Sequence, residues 1–264
     1  MDPARPDTST PAERSAPELS PAASESVLRF DVHQRLQHAL MALSFTVLVL
    51  TGWPLSAHGV GASHHLVKAF GGLHQCGVWH RVAAVVLMVA AVYHLAYLAS
   101  LLVRGRLRLR MLPRPRDLVH LFQNLAFFMG LRRARPAFDK YSYFEKFDYW
   151  AVFWGMVIMA GSGLVRWFPE ATVKRFPVWV YEVSYYAHAD EAILAALAIF
   201  VWHFYNVHLR PSVFPMSRVF LTGRLTLAEL KEEHRAEYDE LMASRAAAGR
   251  ATGETPSSHE ERKS

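Results

Sequence analysis

Four stretches of the chain are apolar at nearly every position, and polar or charged segments separate them. Residues 39–57 hold no charged side chain, residues 77–103 are interrupted only by Arg81, residues 149–165 hold none, and residues 189–209 carry Asp190 and Glu191 near their start. An α-helix rises about 1.5 Å per residue, so about 20 such residues cross a ~30 Å hydrocarbon core. Each stretch is continuous rather than amphipathic, which marks a membrane span and not the flank of a soluble core. The pattern predicts an all-α membrane protein built as a four-transmembrane-helix bundle.

The connections differ in kind. Residues 117–131 repeat apolar side chains at helical spacing (Leu118, Leu121, Phe122, Leu125 and Phe128) between basic clusters, as expected of a helix lying in the membrane interface. Residues 58–77 are rich in Gly and His and read as a loop, with His58, His64, His65 and His74 solvated. Residues 166–187 hold Trp167, Trp179, Tyr181, Tyr185 and Tyr186, the composition of an aromatic belt. Thr226 and Glu229 stand at capping-box spacing before a polar helix. Residues 1–27, rich in Pro, Ala and Ser, read as a disordered tail without a secretory signal; residues 28–222 read as the membrane domain and 223–264 as a cytoplasmic helix and tail.

Charge sets the orientation. The segments before span one, between spans two and three, and after span four hold four, eleven and nine Lys/Arg, against one and three in the other two connections. Basic residues stay in the cytoplasm, which places both termini there, in a bacterial inner membrane. The formal charge of +6 in 264 residues is therefore beside the bilayer and does not point to nucleic acid. A mean hydropathy of +0.09 despite 52% hydrophobic residues fits the same alternation of blocks.

One cysteine, Cys76, excludes an intrachain disulfide, a CxxCH haem attachment and an iron–sulfur cluster ligated by this chain alone. A redox cofactor would have to be held by histidine. His80 and His94 lie fourteen residues apart, roughly 21 Å along a helix and turned by about −40°. His188 and His203 lie fifteen apart, roughly 22 Å and turned by about +60°. His208 is about 200° round from His188, on another face. A single histidine near a helix end is ordinarily a side chain snorkelling to the headgroups. Four at matched depths on two spans point instead to two b-type haems stacked across the bilayer, since an ionisable residue inside the core is costly. Near the outer surface His80 and His188 are at matching depth. Near the inner surface His38, His94 and His203 compete, and spacing favours His94 with His203. The surplus of His33, His94 and His208 leaves room for a third haem.

These residues also carry a resemblance. RLQH at the start of span one, WHR at span two, KYSYFEKFDYW at span three and AHADEAILA followed by WHFYNVH in span four are similar to the cytochrome b (gamma) subunit of respiratory formate dehydrogenases. Related cytochromes serve nickel–iron hydrogenases and thiosulfate reductases. The likeness covers residues 28–222. It implies a dihaem electron-transfer subunit with His80 and His188 on the outer haem iron, and with His38 and His203 on the inner one in place of His94. It further implies a quinone near the inner haem, at Tyr141, Ser142, Phe144, Glu145 and Lys146, where Glu145 would relay protons. The primary substrate would be handled by a separate catalytic subunit through an iron–sulfur or multihaem cytochrome partner. Two other classes stay open: a standalone carrier or reductase of the cytochrome b561 kind, and a haem-free membrane anchor.

Overall fold

The computed structural model of the protein describes residues 25–57, 60–211 and 213–252. Residues 1–24 of the tail expected over 1–27, and His58, lie outside them. Four helices are long and apolar enough to cross a membrane: α1 (Val32–Ser56), α3 (Leu73–Val103), α5 (Tyr143–Trp167), and α7 (Val178–Leu197), which runs on as π-helical turns through Leu209. All four outrun the apolar stretches that announce them. At α1 and α5 the extra turns begin at polar caps. At α1, Asp31 accepts from the Gln34 N–H while the Gln34 side chain returns to the Asp31 N–H. Ser142 and Glu145 close the same reciprocal box at α5. Each satisfies orphan N–H groups that the first helical turn leaves open.

α1 packs along α3, and α5 along α7; the two helix pairs touch each other only thinly. Four spans put the described segments before α1 and after α7 on one side, the terminal side. Large apolar side chains line the outside of all four helices, among them Leu43, Val89, Trp154 and Val201, as a lipid-facing surface requires.

The segment between α1 and α3 is more ordered than its composition suggests: Ser63–Ala69 forms helix α2, with His64 and His65 exposed on it. Helix α4 (Pro115–Phe128) takes the place expected of an interfacial helix, starting two residues early because Pro115 suits the first helical position. Its apolar residues Leu118, Leu121, Phe122, Leu125 and Phe128 are all exposed. A short helix α6 (Pro169–Arg175) precedes α7 in the aromatic segment, where the Arg166 guanidinium lies over the Tyr181 and Tyr185 rings.

One boundary drawn from composition is corrected. Strand β1 (Ser26–Leu28) pairs antiparallel with β2 (Arg224–Thr226), so the end of the expected tail is ordered and joined to the C-terminal segment. Around this ribbon lie α8 (Val219–Thr222), α9 (Leu227–Glu233) and α10 (Arg235–Thr252). Leu225, Leu227 and Leu230 form a small buried core with Val27, Val219, Tyr238, Leu241 and Met242. The Thr226–Glu229 capping box forms as expected. Divisions at 27/28 and 222/223 therefore cut through one terminal-side layer. Neither strand is apolar enough to be read alone; each is stabilised by the other.

That layer is clamped to the membrane domain by Arg29, whose side chain is 5% exposed and pairs with Glu237 at 2.6 Å. The Arg29 guanidinium also reaches the Lys140 carbonyl, the His234 ring at 3.0 Å and Glu145 at 3.7 Å. Below it, Lys146 (4% exposed) and Asp117 (13% exposed) pair at 2.8 Å, pinning α4 to the start of α5.

Candidate haem-binding site

Two pairs of histidines from different helices meet across the gap between the helix pairs. On the side away from the termini, the rings of His80 (α3) and His188 (α7) lie 6.2 Å apart, centroid to centroid, with their planes 69° apart. On the terminal side, His38 (α1) and His203 (α7) lie 6.4 Å apart with planes at 37°. His38 to Thr51, the α1 residue beside His80, is thirteen residues, so the two sites are about 20 Å apart in depth.

The spacing is a test of what fits. A metal–imidazole bond is about 2.0–2.1 Å. A five-membered ring with bonds near 1.33 Å places each nitrogen about 1.1 Å from its centroid. An iron held between two imidazoles then separates the centroids by about 6.3 Å. Both pairs match. Direct ring packing would also allow such a distance, but four ionisable rings paired at two depths of a lipid-facing bundle would be costly without a ligand.

The backbone around His80 and His188 is built for them. The Thr51 hydroxyl donates to the Val47 carbonyl at 2.7 Å and lies 3.1 Å from His80 Nδ1. The Ser162 hydroxyl donates to the Ile158 carbonyl at 2.6 Å and lies 3.1 Å from His188 Nδ1. Next along each helix is a glycine. A Cβ on Gly52 would stand 3.2 Å from His80 Cε1, and one on Gly163 3.2 Å from His188 Cε1. Gly163 is approached by the His188 ring, Gly155 by the Glu191 carboxylate, and Gly161 by nothing within 4 Å. The roles of Thr51, Gly52 and Ser162 were not anticipated. The available signal was a hydroxyl residue followed by glycine inside both α1 and α5, at the depth of a histidine on the partner helix.

The second histidine of α7 is placed by a change of helix type. Fifteen α-helical residues would turn His203 about 60° off the stripe of His188. The π-helical turn over Ala198–His203 takes up one residue without advancing the face. The effective spacing becomes the fourteen of His80 and His94, and His203 swings back toward α1.

His94 does not face His203. Its Nδ1 lies 2.8 Å from the Gln37 Oε1 and its Nε2 3.0 Å from the Tyr149 hydroxyl, so it bridges α1, α3 and α5. With both ring nitrogens engaged, it offers none to a metal. Residue spacing carries neither the change of helix type in α7 nor the neighbours that hold His94. His203 Nδ1 instead has the Asp148 carboxylate at 3.7 Å. His33 Nδ1 lies 2.6 Å from the Tyr93 hydroxyl, and His208 stacks on Phe204.

The five residues expected around a quinone are gathered on the terminal side but are engaged in structure. Ser142 (1% exposed) caps α5 with Glu145, and Lys146 is paired with Asp117. Tyr141 lies under the Arg29 guanidinium, and burial, the largest influence, pushes its phenol pKa up. Phe144 packs edge-on against Phe138. Arg81 donates to the Gly77 carbonyl and lines a cavity of about 340 Å³ with Val78, Val82, Val85 and Trp167.

A four-span bundle with paired histidines at two depths defines a multi-pass membrane cytochrome. Comparison with protein families bears this out: the model describing prokaryotic cytochrome b561 matches residues 29–214, and the chain belongs to that family. It is a transmembrane b-type cytochrome that binds haem b and carries electrons in a bacterial membrane. No curated protein matches the chain.

Proposed function

We propose that the protein is the dihaem cytochrome b subunit of a respiratory oxidoreductase, linking an external redox partner to the quinone pool. The observation that carries this reading is the pair of inter-helix histidine separations, each the width of a bis-imidazole iron site. His80 and His188 would hold the outer haem, and His38 and His203 the inner one. Bound haem supplies reversible one-electron chemistry, tuned by its axial ligands and surroundings. The chain supplies the imidazoles, a dry setting and a set separation.

The basic terminal side faces the cytoplasm. Quinone reacts there, next to the inner haem, in the segment of Tyr141, Ser142, Phe144, Glu145 and Lys146. Glu145, 29% exposed and able to exchange its proton with solvent, is the group suited to pass protons; Ser142 and Lys146 hold the segment in place. The partner class is an iron–sulfur or multihaem cytochrome subunit serving a separate catalytic chain of the formate dehydrogenase, nickel–iron hydrogenase or thiosulfate reductase kind. The conductive path serves either direction of flow.

Single His→Ala variants, with haem counted by pyridine haemochrome, test the ligands. His80→Ala and His188→Ala should each lose one of two haems, His38→Ala and His203→Ala the other, and His94→Ala neither. Retention of both haems by His38→Ala with loss in His94→Ala overturns the inner assignment. Co-purifying subunits decide the partner. Isolation of this chain alone with full quinol-dependent activity would assign a standalone carrier instead.

A further inference from the structure

The donors and acceptors around His80 and His188 close into a definite arrangement. A hydroxyl has one proton and two lone pairs. Thr51 spends its proton on the Val47 carbonyl, and Ser162 its proton on the Ile158 carbonyl, each four residues back on its own helix. Toward the histidine each hydroxyl can then only accept, so the 3.1 Å contact requires a proton on Nδ1. Nε2 is thereby left with its lone pair. The device occurs twice, on α1 for a ring from α3 and on α5 for a ring from α7, each followed by a glycine that gives the ring space. Among the described residues no hydroxyl is bonded to His38 or His203.

We infer that Thr51 and Ser162 are positioning residues: their hydroxyls fix the tautomer and plane of the His80 and His188 imidazoles and make them stronger electron donors toward a metal. This rests on the ligand assignment proposed above. A ligating histidine whose second nitrogen donates to an acceptor is more basic, and loss of such a partner typically weakens metal affinity about 10–100-fold. The bundle therefore treats its two sites differently, with neutral hydroxyl acceptors at one and the Asp148 carboxylate at the other.

The test uses the full-length protein in detergent, with Thr51→Val, Ser162→Ala and the pair combined. Redox titration should show one b-haem component moving to higher potential, because a less basic imidazole stabilises the ferric state less. The other component should stay in place. Haem transfer to apomyoglobin should speed up about tenfold or more for the moved component, and its low-spin ferric electron paramagnetic resonance should shift. Thr51→Ser and Ser162→Thr keep the acceptor and should restore the original potential, which a packing role would not ensure. Unchanged potentials and release rates in the combined variant overturn the inference, as does a shift confined to the component that His38→Ala removes. If His80→Ala retains both haems, the ligand assignment itself falls. If it loses one while Thr51→Val leaves that haem's potential and release rate unmoved, only the hydroxyl role falls.

Discussion

Gly161 and Gly163 lie two residues apart on α5, yet they should respond to substitution in opposite ways. A Cβ at Gly161 meets nothing within 4 Å, whereas one at Gly163 stands 3.2 Å from His188 Cε1 and 3.6 Å from Nδ1. Ordinary carbon contacts are about 3.5–4.0 Å, so alanine at 163 presses the ring back by roughly 0.3–0.8 Å. That is a large fraction of a metal–nitrogen bond of about 2.0–2.1 Å, and leucine there would fill the ring's own space. Helix propensity works the other way, since replacing an interior glycine with alanine gains about 0.8–1.0 kcal/mol. Gly161→Ala should therefore melt at or above the parent with full haem. Gly163→Ala should show a displaced redox potential for one haem, and Gly163→Leu should lose that haem while keeping its helical circular dichroism. Haem per protein, a redox titration and a thermal melt on the detergent-solubilised protein measure all three. Two haems at unchanged potentials in Gly163→Leu would refute the idea that this glycine exists to admit the ring.

Other outcomes follow from the same geometry. Lys146→Met leaves the partly buried Asp117 without its cation and should lower the melting temperature; adding Asp117→Leu should recover most of the loss. Burial, the largest single influence, raises the Asp117 pKa, but hydrogen bonds from Lys146 and the Arg114 backbone together with the charges of Lys146 and Arg116 outweigh it and hold the carboxyl below the ordinary 3.8. A depressed folded pKa stabilises above the unfolded value and ceases to as pH falls through the folded one, so proteolysis at α4 should rise only below about pH 4. His94→Phe should keep both haems but loosen α1 against α5, reported by faster hydrogen exchange near Gln37 and Tyr149. Arg29→Ala removes the bonds to Glu237 and His234 and should expose residues 224–252 to protease without loss of haem.

The sequence by itself determined the four spans, the helix between the basic clusters, the cap at Thr226, and the depths of the histidines. These are local properties: a run of apolar side chains must become helix in lipid because no water is there to satisfy the backbone, and depth follows from counting residues. Which histidine faces which is not local. His38 and not His94 meets His203 because one π-helical turn shifts the face of α7, and because Gln37 and Tyr149 already hold His94. The Thr51–His80 and Ser162–His188 contacts, and the β1–β2 ribbon joining residues 198 positions apart, exist only once the helices have packed. Rotation about a helix axis and the pairing of distant segments are decided by neighbours, and no periodicity along one chain encodes them.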